Sequence, residues 1–289
     1  MRVAFLGTPE AAVPSLEALV RAGHNVALVI SQPDRRRGRG TDVSPSPVKV
    51  AALRLGLVVA DDMSALETLD VDYAIVVAYG ALIPGRLLER TPMLNVHFSL
   101  LPRWRGAAPV ERAILAGDQD TGVGIISLEV TLDTGPLHGE RRTDVGEKTS
   151  SELIHELARL GAELLIEVLG DADALAHPHP QVGESTYAAK VTPETFHLTP
   201  DMSLVQAQRV IRLERAFVRV RERRLRVLGA TPTNLAVALG SLRSADGVVA
   251  LGLADGSLDV VLVQPEGSRA MSGVAWWAGA RLDDGVTWD

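Results

Sequence analysis

Leu94-Asn95-Val96-His97-Phe98-Ser99-Leu100-Leu101-Pro102-Arg103-Trp104-Arg105-Gly106 reads as a strand that runs into a loop. Leu94, Val96 and Phe98 alternate with Asn95, His97 and Ser99, the period-2 pattern of a strand with two unlike faces. Asn95 and His97 therefore point the same way, and Pro102 with the Arg-Trp-Arg-Gly run stops the strand. An amide beside an imidazole at the carboxyl end of a strand is where an open α/β sheet places its chemistry. The same alternation also fits a plain strand end whose polar groups serve the loop backbone, and it does not choose between the two.

Working outward, Arg2 to Gly7 predicts a buried strand. A helix follows from near Pro14 and closes at Gly23, and Val26 to Ser31 is a second strand. Strand–helix–strand is the signature of a parallel sheet. Gly7-Thr8-Pro9-Glu10 lacks the spaced glycines of a dinucleotide site. Ser46 and Pro47 open a helix that ends at Gly56, and Leu57–Ala60 and Tyr73–Ala78 are further strands, the latter apolar enough to be buried on both faces. Helix 109–116, strand 122–130 and strand 137–145 come after the central strand. Thr149-x-x-Glu152 is a capping box for a long helix with Leu153, Leu157, Leu160, Leu164 and Val168 on one stripe. The expected fold is an open, mostly parallel Rossmann-like sheet with helices on both faces, then a small C-terminal OB-like β-barrel. The expected division is 1–183 for the α/β part, 184–202 for a surface linker and 203–289 for the barrel. Within the barrel, Ala254-Asp255-Gly256-Ser257 marks a hairpin.

Among 289 residues there is no cysteine, which excludes disulfides and thiolate metal sites and fits a reducing cytoplasm. No apolar run approaches the ~20 residues of a membrane helix. His177-Pro178-His179-Pro180 has two histidines but no third ligand nearby, so a metal is not expected there. The net charge of −7 is unevenly spread. Residues 34–39 carry Arg35, Arg36, Arg37 and Arg39; residues 201–230 carry eight arginines, among them Arg209, Arg212 and Arg219. Without those two segments the remainder holds 17 basic against 32 acidic residues. Cationic clusters on an anionic body point to a polyanionic partner, and barrels of this size often bind nucleic acid. An arginine-preferring proteome with a solvated basic surface would produce the same clusters.

Several motifs together resemble the folate-dependent formyltransferases over nearly the whole chain. They are Phe5-Leu6-Gly7-Thr8-Pro9-Glu10, Ser31-Gln32-Pro33-Asp34, Gly38-Arg39-Gly40, Pro45 to Lys49 and Val76 to Gly80. Asn95-Val96-His97, Ser99 to Pro109, Leu132-Asp133-Thr134-Gly135, Thr186-Tyr187-Ala188 and Arg215-Ala216-Phe217 complete the set. Phe98 departs from it, standing where glycine is usual. Asn-x-His followed by Ser-Leu-Leu-Pro, with an aspartate some way on, belongs to the whole group; Arg-Trp-Arg-Gly-Ala-Ala-Pro and the arginine loop resemble its tRNA-directed branch. Small-amine formyltransferases and formyl-folate hydrolases share Asn95, His97 and Asp133 but leave the arginines unexplained.

The resemblance implies transfer of a formyl group from 10-formyltetrahydrofolate to the α-amino group of methionine on initiator tRNA, without a metal. It assigns the chemistry to Asn95, His97 and Asp133, with either His97 or Asp133 as base. Asp133 before Thr-Gly is also common turn chemistry. Ser99, Leu100, Leu101, Pro102, Arg103 and Gly106 would surround the substrate. Tyr79, Gly80, Leu82, Ile83, Pro84, Glu129 and Val130 would hold the folate. Arg35, Arg36, Arg37, Arg39, Arg209, Arg212 and Arg219 would contact tRNA, and a monomer off the membrane is expected.

Overall fold

The computed structural model describes residues 1–36 and 43–289. Seven strands make the first sheet: β1 (Arg2–Gly7), β2 (Asn25–Ile30), β3 (Val59–Ala60), β4 (Tyr73–Val77), β5 (Met93–His97), β6 (Asp120–Ser127) and β7 (Leu137–Asp144). Their order is β7-β6-β5-β4-β1-β2-β3. β1 to β5 pair in parallel, as the strand–helix alternation predicts. β6 runs antiparallel to β5, and β7 antiparallel to β6. The end of β6 therefore lies beside the start of β5, with Ser127 opposite Leu94. The connection into β7 has to double back to reach the polar end of β5.

The helices follow their local signals. Ser46 caps the helix Pro47–Arg54 by accepting from the Lys49 N–H, with proline in the first turn. Thr149 and Glu152 exchange the reciprocal hydrogen bonds of a capping box at the start of the 21-residue helix Ser150–Gly170. Leu153, Leu157, Leu164 and Val168 of that helix are buried. Removing each from water stabilises the fold by about 1.5–3 kcal/mol. Leu160 is only half-buried, because Gly161 is the residue that meets Val96 and Val123 on the sheet. Phe98 also turns toward Gly161, so the bulky ring at that position faces away from Asn95 and His97. The opposite face is filled by Ala4, Leu6, Leu28, Ile30, Ala74, Val76, Leu87 and Met93.

The chain divides into two compact units. The first comprises 1–110, 119–144 and 153–189; the second comprises 111–118, 145–152 and 190–289. In the second, strands Phe217–Val220, Arg223–Thr233, Gly256–Pro265, Val248–Leu253, Ser241–Ala245 and Val286–Thr287 form an antiparallel sheet in that order. Val220 bridges Trp288, and the Asp289 N–H donates to the Arg219 carbonyl at 3.0 Å, so the two ends of the sheet meet. Closing the ends leaves fewer unpaired edge groups, which is what makes a small barrel stable. Leu225, Val227, Leu242, Leu251, Leu258 and Trp276 fill its interior. A helix at Leu204–Ile211 begins with the capping box of Ser203 and Gln206.

The stretch expected to be a surface linker is more structured than its composition indicates. Tyr187–Ala188 pairs in parallel with Arg105–Gly106, and Pro193–Phe196 is a short 3₁₀ helix.

Candidate active site

The odd-numbered face of β5 carries Asn95 and His97 side by side, two residues apart, as the alternation requires. His97 is 6% exposed and Asp133 5% exposed, both inside the first unit. Asp133 comes from the connection after β6, and its carboxylate is the point on which the site converges. Oδ2 accepts the Gly106 N–H at 2.9 Å and lies 3.7 Å from His97 Nδ1. Oδ1 accepts from Asn95 Nδ2 at 3.4 Å. Three groups distant in sequence thus surround one carboxylate.

His97 Nε2 is 3.0 Å from the Trp104 carbonyl oxygen. A carbonyl can only accept, so Nε2 carries the hydrogen and donates it. That leaves Nδ1 of a neutral ring with its lone pair directed to the Asp133 side. Ser99 Oγ donates to the Arg103 carbonyl at 2.7 Å and also reaches the Trp104 carbonyl, closing the loop after β5 on itself, while the His97–Trp104 bond ties that loop to the strand. Leu101 is buried, and Arg103 stacks its guanidinium 4.5 Å from the Trp104 ring centre.

Gly106 has φ +120°, a region that side chains rarely adopt, and a Cβ there would lie 2.8 Å from the Ala188 carbonyl oxygen. Replacing Gly106 with alanine should therefore destabilise the protein by about 1–3 kcal/mol and release the N–H that holds Asp133. Urea denaturation reads the first effect; an unchanged midpoint would show that the Ala188 strand yields freely.

The connection Thr131–Gly135 is a turn and a site element at once. Asp133 sits at φ +53°, and Thr134 Oγ1 donates to the Thr131 carbonyl and to Glu129 Oε2, each at 3.1 Å. Expected folate-side residues are split by the structure. Leu82 and Val130 are each 85% exposed and Leu132 is exposed too, so apolar side chains stand bare on both the connection after β4 and the one after β6. Val130 approaches Gly85, so the connection after β4 and the one after β6 meet. Gly80 takes φ +85°, and Pro84 precedes the helix Gly85–Arg90. Tyr79 and Ile83, by contrast, pack with the core. Burial pushes the Tyr79 hydroxyl pKa up, although its hydrogen bond to Gln32 works the other way.

The arginines also separate. Arg35–Arg36 pairs antiparallel with Val43–Ser44, and Arg35 Nη2 donates to Gln32 Oε1 at 3.2 Å. Arg37 and Arg39 lie outside the described residues. Arg209 donates to the Leu115 and Ala116 carbonyls, and Arg212 Nε to the Lys148 carbonyl at 2.8 Å. Burial lowers the Arg212 pKa, the cost of taking that charge out of water. Arg219 projects outward, its Nη1 3.9 Å from Asp289 Oδ2. His177 pairs with Asp173, and among the described residues no cluster of three metal-ligating side chains occurs.

Gln181 was not singled out by the sequence, and Thr186 only as part of the Thr186-Tyr187-Ala188 motif, yet both touch the site loops. Thr186 Oγ1 accepts the Trp104 N–H at 2.9 Å, and the Arg105 N–H donates to the Thr186 carbonyl. Gln181 contacts Asp133, Gly135 and Arg105. The only hint in the sequence was the Thr-Tyr-Ala motif.

The chain is similar to known proteins in sequence and in fold. Residues 1–169 match the formyl transferase family. The methionyl-tRNA formyltransferase of Novosphingobium aromaticivorans is 42% identical, with 99% of each chain covered. That of Jannaschia sp. is 38% identical, again with 99% of each covered. Among solved structures, HypX from Aquifex aeolicus in complex with tetrahydrofolic acid superposes with a TM-score of 0.68 at 18% identity, covering 96% of this chain and 47% of HypX. Methionyl-tRNA formyltransferase from Clostridium thermocellum gives 0.58 at 15% identity, covering 94% and 100%. At such identities the two structures speak for the fold.

Proposed function

This chain belongs to the methionyl-tRNA formyltransferases of the formyl transferase family, and from that premise we propose that it formylates methionyl initiator tRNA with 10-formyltetrahydrofolate at Asn95, His97 and Asp133. The observation that carries the proposal is the Asp133 carboxylate, held by the Gly106 N–H at 2.9 Å and standing 3.7 Å from His97 Nδ1.

Attack of the α-amine on the formyl carbon forms a C–N bond and moves the carbonyl electrons onto oxygen. The Asn95 side-chain N–H donates to that oxyanion; its 3.4 Å bond to Asp133 is long enough to be exchanged for a better acceptor. His97 takes the amine's proton at Nδ1, because Nε2–H is already committed to the Trp104 carbonyl. Asp133 stabilises the resulting imidazolium through charge and orientation. His97 then returns the proton to the departing folate nitrogen, and the catalytic groups end as they began.

The formyl donor fits the exposed Leu82, Val130 and Leu132, whose apolar surface suits a flat ring system, with backbone groups of Gly80 to Pro84 beside them. Arg35, Arg36, Arg37 and Arg39 are proposed to contact the acceptor end of tRNA, and Arg219 its phosphates. The proposed setting is the cytoplasm; no helix among the described residues is long and apolar enough to cross a membrane.

Incubation with 10-formyltetrahydrofolate and methionyl initiator tRNA, set against uncharged tRNA and free methionine, tests the proposal. Formyl-methionyl-tRNA should form with the first acceptor only. Release of formate without acceptor, or formylation of free methionine at an equal rate, would overturn it. Changing the four loop arginines to glutamine should raise the KM for tRNA. It should also flatten the salt dependence of binding by about 0.7–0.9 in log–log slope for each phosphate that is no longer neutralised. An unchanged slope would move tRNA contact elsewhere.

A further inference from the structure

Asp133 is steered by a side chain 48 residues further along the chain. Gln181 Nε2 donates to the Asp133 carbonyl at 2.9 Å and to the Gly135 carbonyl at 2.8 Å. Its Oε1 accepts from Arg105 Nε at 3.0 Å and Nη2 at 2.6 Å. A guanidinium can only donate and a backbone carbonyl can only accept, so this amide has one orientation. Both of its hydrogens and its oxygen are used. We infer that Gln181 is a positioning residue for formyl transfer, clamping the backbone at Asp133 so that the carboxylate stands beside His97 Nδ1.

The backbone needs such a clamp. Asp133 lies in the left-handed region at φ +53°, which aspartate tolerates better than most residues but still at some cost, so contacts from its surroundings help to fix it there. The loop that carries it doubles back from an antiparallel strand and ends in an exposed tip at Val130 and Leu132. Two carbonyls in that loop, at positions 133 and 135, bind the same amide nitrogen, which ties both ends of the critical bend to one point. Through Arg105 the clamp also reaches the segment whose next residue, Gly106, donates to the Asp133 carboxylate. Gln181 thus sets the backbone and the side-chain contact of Asp133 together. Thr186 secures the same segment one residue earlier, at the Trp104 N–H.

The inference rests on the proposed division of labour between His97 and Asp133, and a double-mutant cycle separates the two. Gln181→Glu keeps the shape of the side chain and an acceptor for Arg105, but presents oxygen to the two carbonyls it formerly bound. Its kcat should fall ~10-fold or more while KM for the formyl donor and for methionyl-tRNA stay within ~3-fold, since misplacing a reacting group costs rate before affinity. Asp133→Asn should cost more, and adding Gln181→Glu to it should lower the rate no more than ~2-fold further, because there is then no carboxylate left to place. A wild-type kcat in Gln181→Glu, or losses that multiply in the double variant, would overturn the inference. A wild-type rate in Asp133→Asn would instead overturn the site assignment itself. If circular dichroism shows Gln181→Glu unfolded, Gln181→Met gives the same cycle without the added charge.

Discussion

His97→Ala is expected to lower kcat for formyl transfer by ~10²–10⁴, the usual worth of a positioned general acid–base group. Geometry sets this expectation before energetics does. Nε2 is occupied by the Trp104 carbonyl and Nδ1 faces the Asp133 carboxylate 3.7 Å away, so the ring has one nitrogen for chemistry and a counter-charge beside it. Alanine removes the proton acceptor and also takes away a donor from the Trp104 carbonyl. Some stability goes with it, because a part-buried acceptor is deprived of that hydrogen bond. Rates are therefore to be expressed per folded molecule, with the folded fraction taken from urea denaturation. A loss of stability with an unchanged single-turnover rate would mean that the imidazole only props up the loop.

Asn95→Ala should cost ~10²–10³ in kcat, with KM for both substrates little altered, because an oxyanion donor acts on charge that develops only in the transition state. Asn95 is the polar neighbour of His97 on the same strand face, and its Nδ2 already points at an anion, the Asp133 carboxylate. Loss of that 3.4 Å bond alone would leave Asp133 its hydrogen bond from Gly106. A modest fall in kcat matched by an equal rise in KM would assign Asn95 to ground-state binding instead. Steady-state kinetics with each substrate varied in turn decides between the two.

The two predictions differ in what they ask of the fold. Asn95 and His97 need only β5 to be a strand, whereas their partnership with Asp133 needs the whole edge of the sheet. The strand could be read from three apolar residues alternating with three polar ones, and its parallel neighbours from the strand–helix rhythm of the first 80 residues. That β6 lies antiparallel beside it could not be read, because a buried apolar strand looks alike in either direction. Asp133 before Thr-Gly is turn chemistry wherever it occurs, and here it is a turn whose side chain also meets the site.

Charge was less legible than pattern. Eight arginines in 30 residues read as one basic surface. In the folded chain Arg209 and Arg212 are turned to backbone carbonyls at helix and loop ends, where a guanidinium supplies donors to orphan acceptors. Arg224 lies over the Phe217 ring at 3.9 Å and Arg215 over Phe196 at 4.4 Å. The Tyr79 side chain packs with the core, because an aromatic just past a buried strand finds apolar neighbours, so any contact it makes with a ligand falls to its backbone.

By itself, then, the amino-acid order determined the elements whose causes are local: the caps at Ser46 and Thr149, the two faces of β5, the long helix and the barrel hairpin at Ala254–Ser257. Hydrogen-bonding within a few residues and the repeat of apolar positions act along the chain, so they are written in it. The tertiary structure alone decided that Gln181 would grip the loop of Asp133, that Gly106 would hold its carboxylate, and that a stretch composed like a linker would brace the site. Those contacts join residues 27 to 82 positions apart. Only chain closure brings such partners within hydrogen-bonding distance, and no local pattern records which of many polar side chains will be there to meet them.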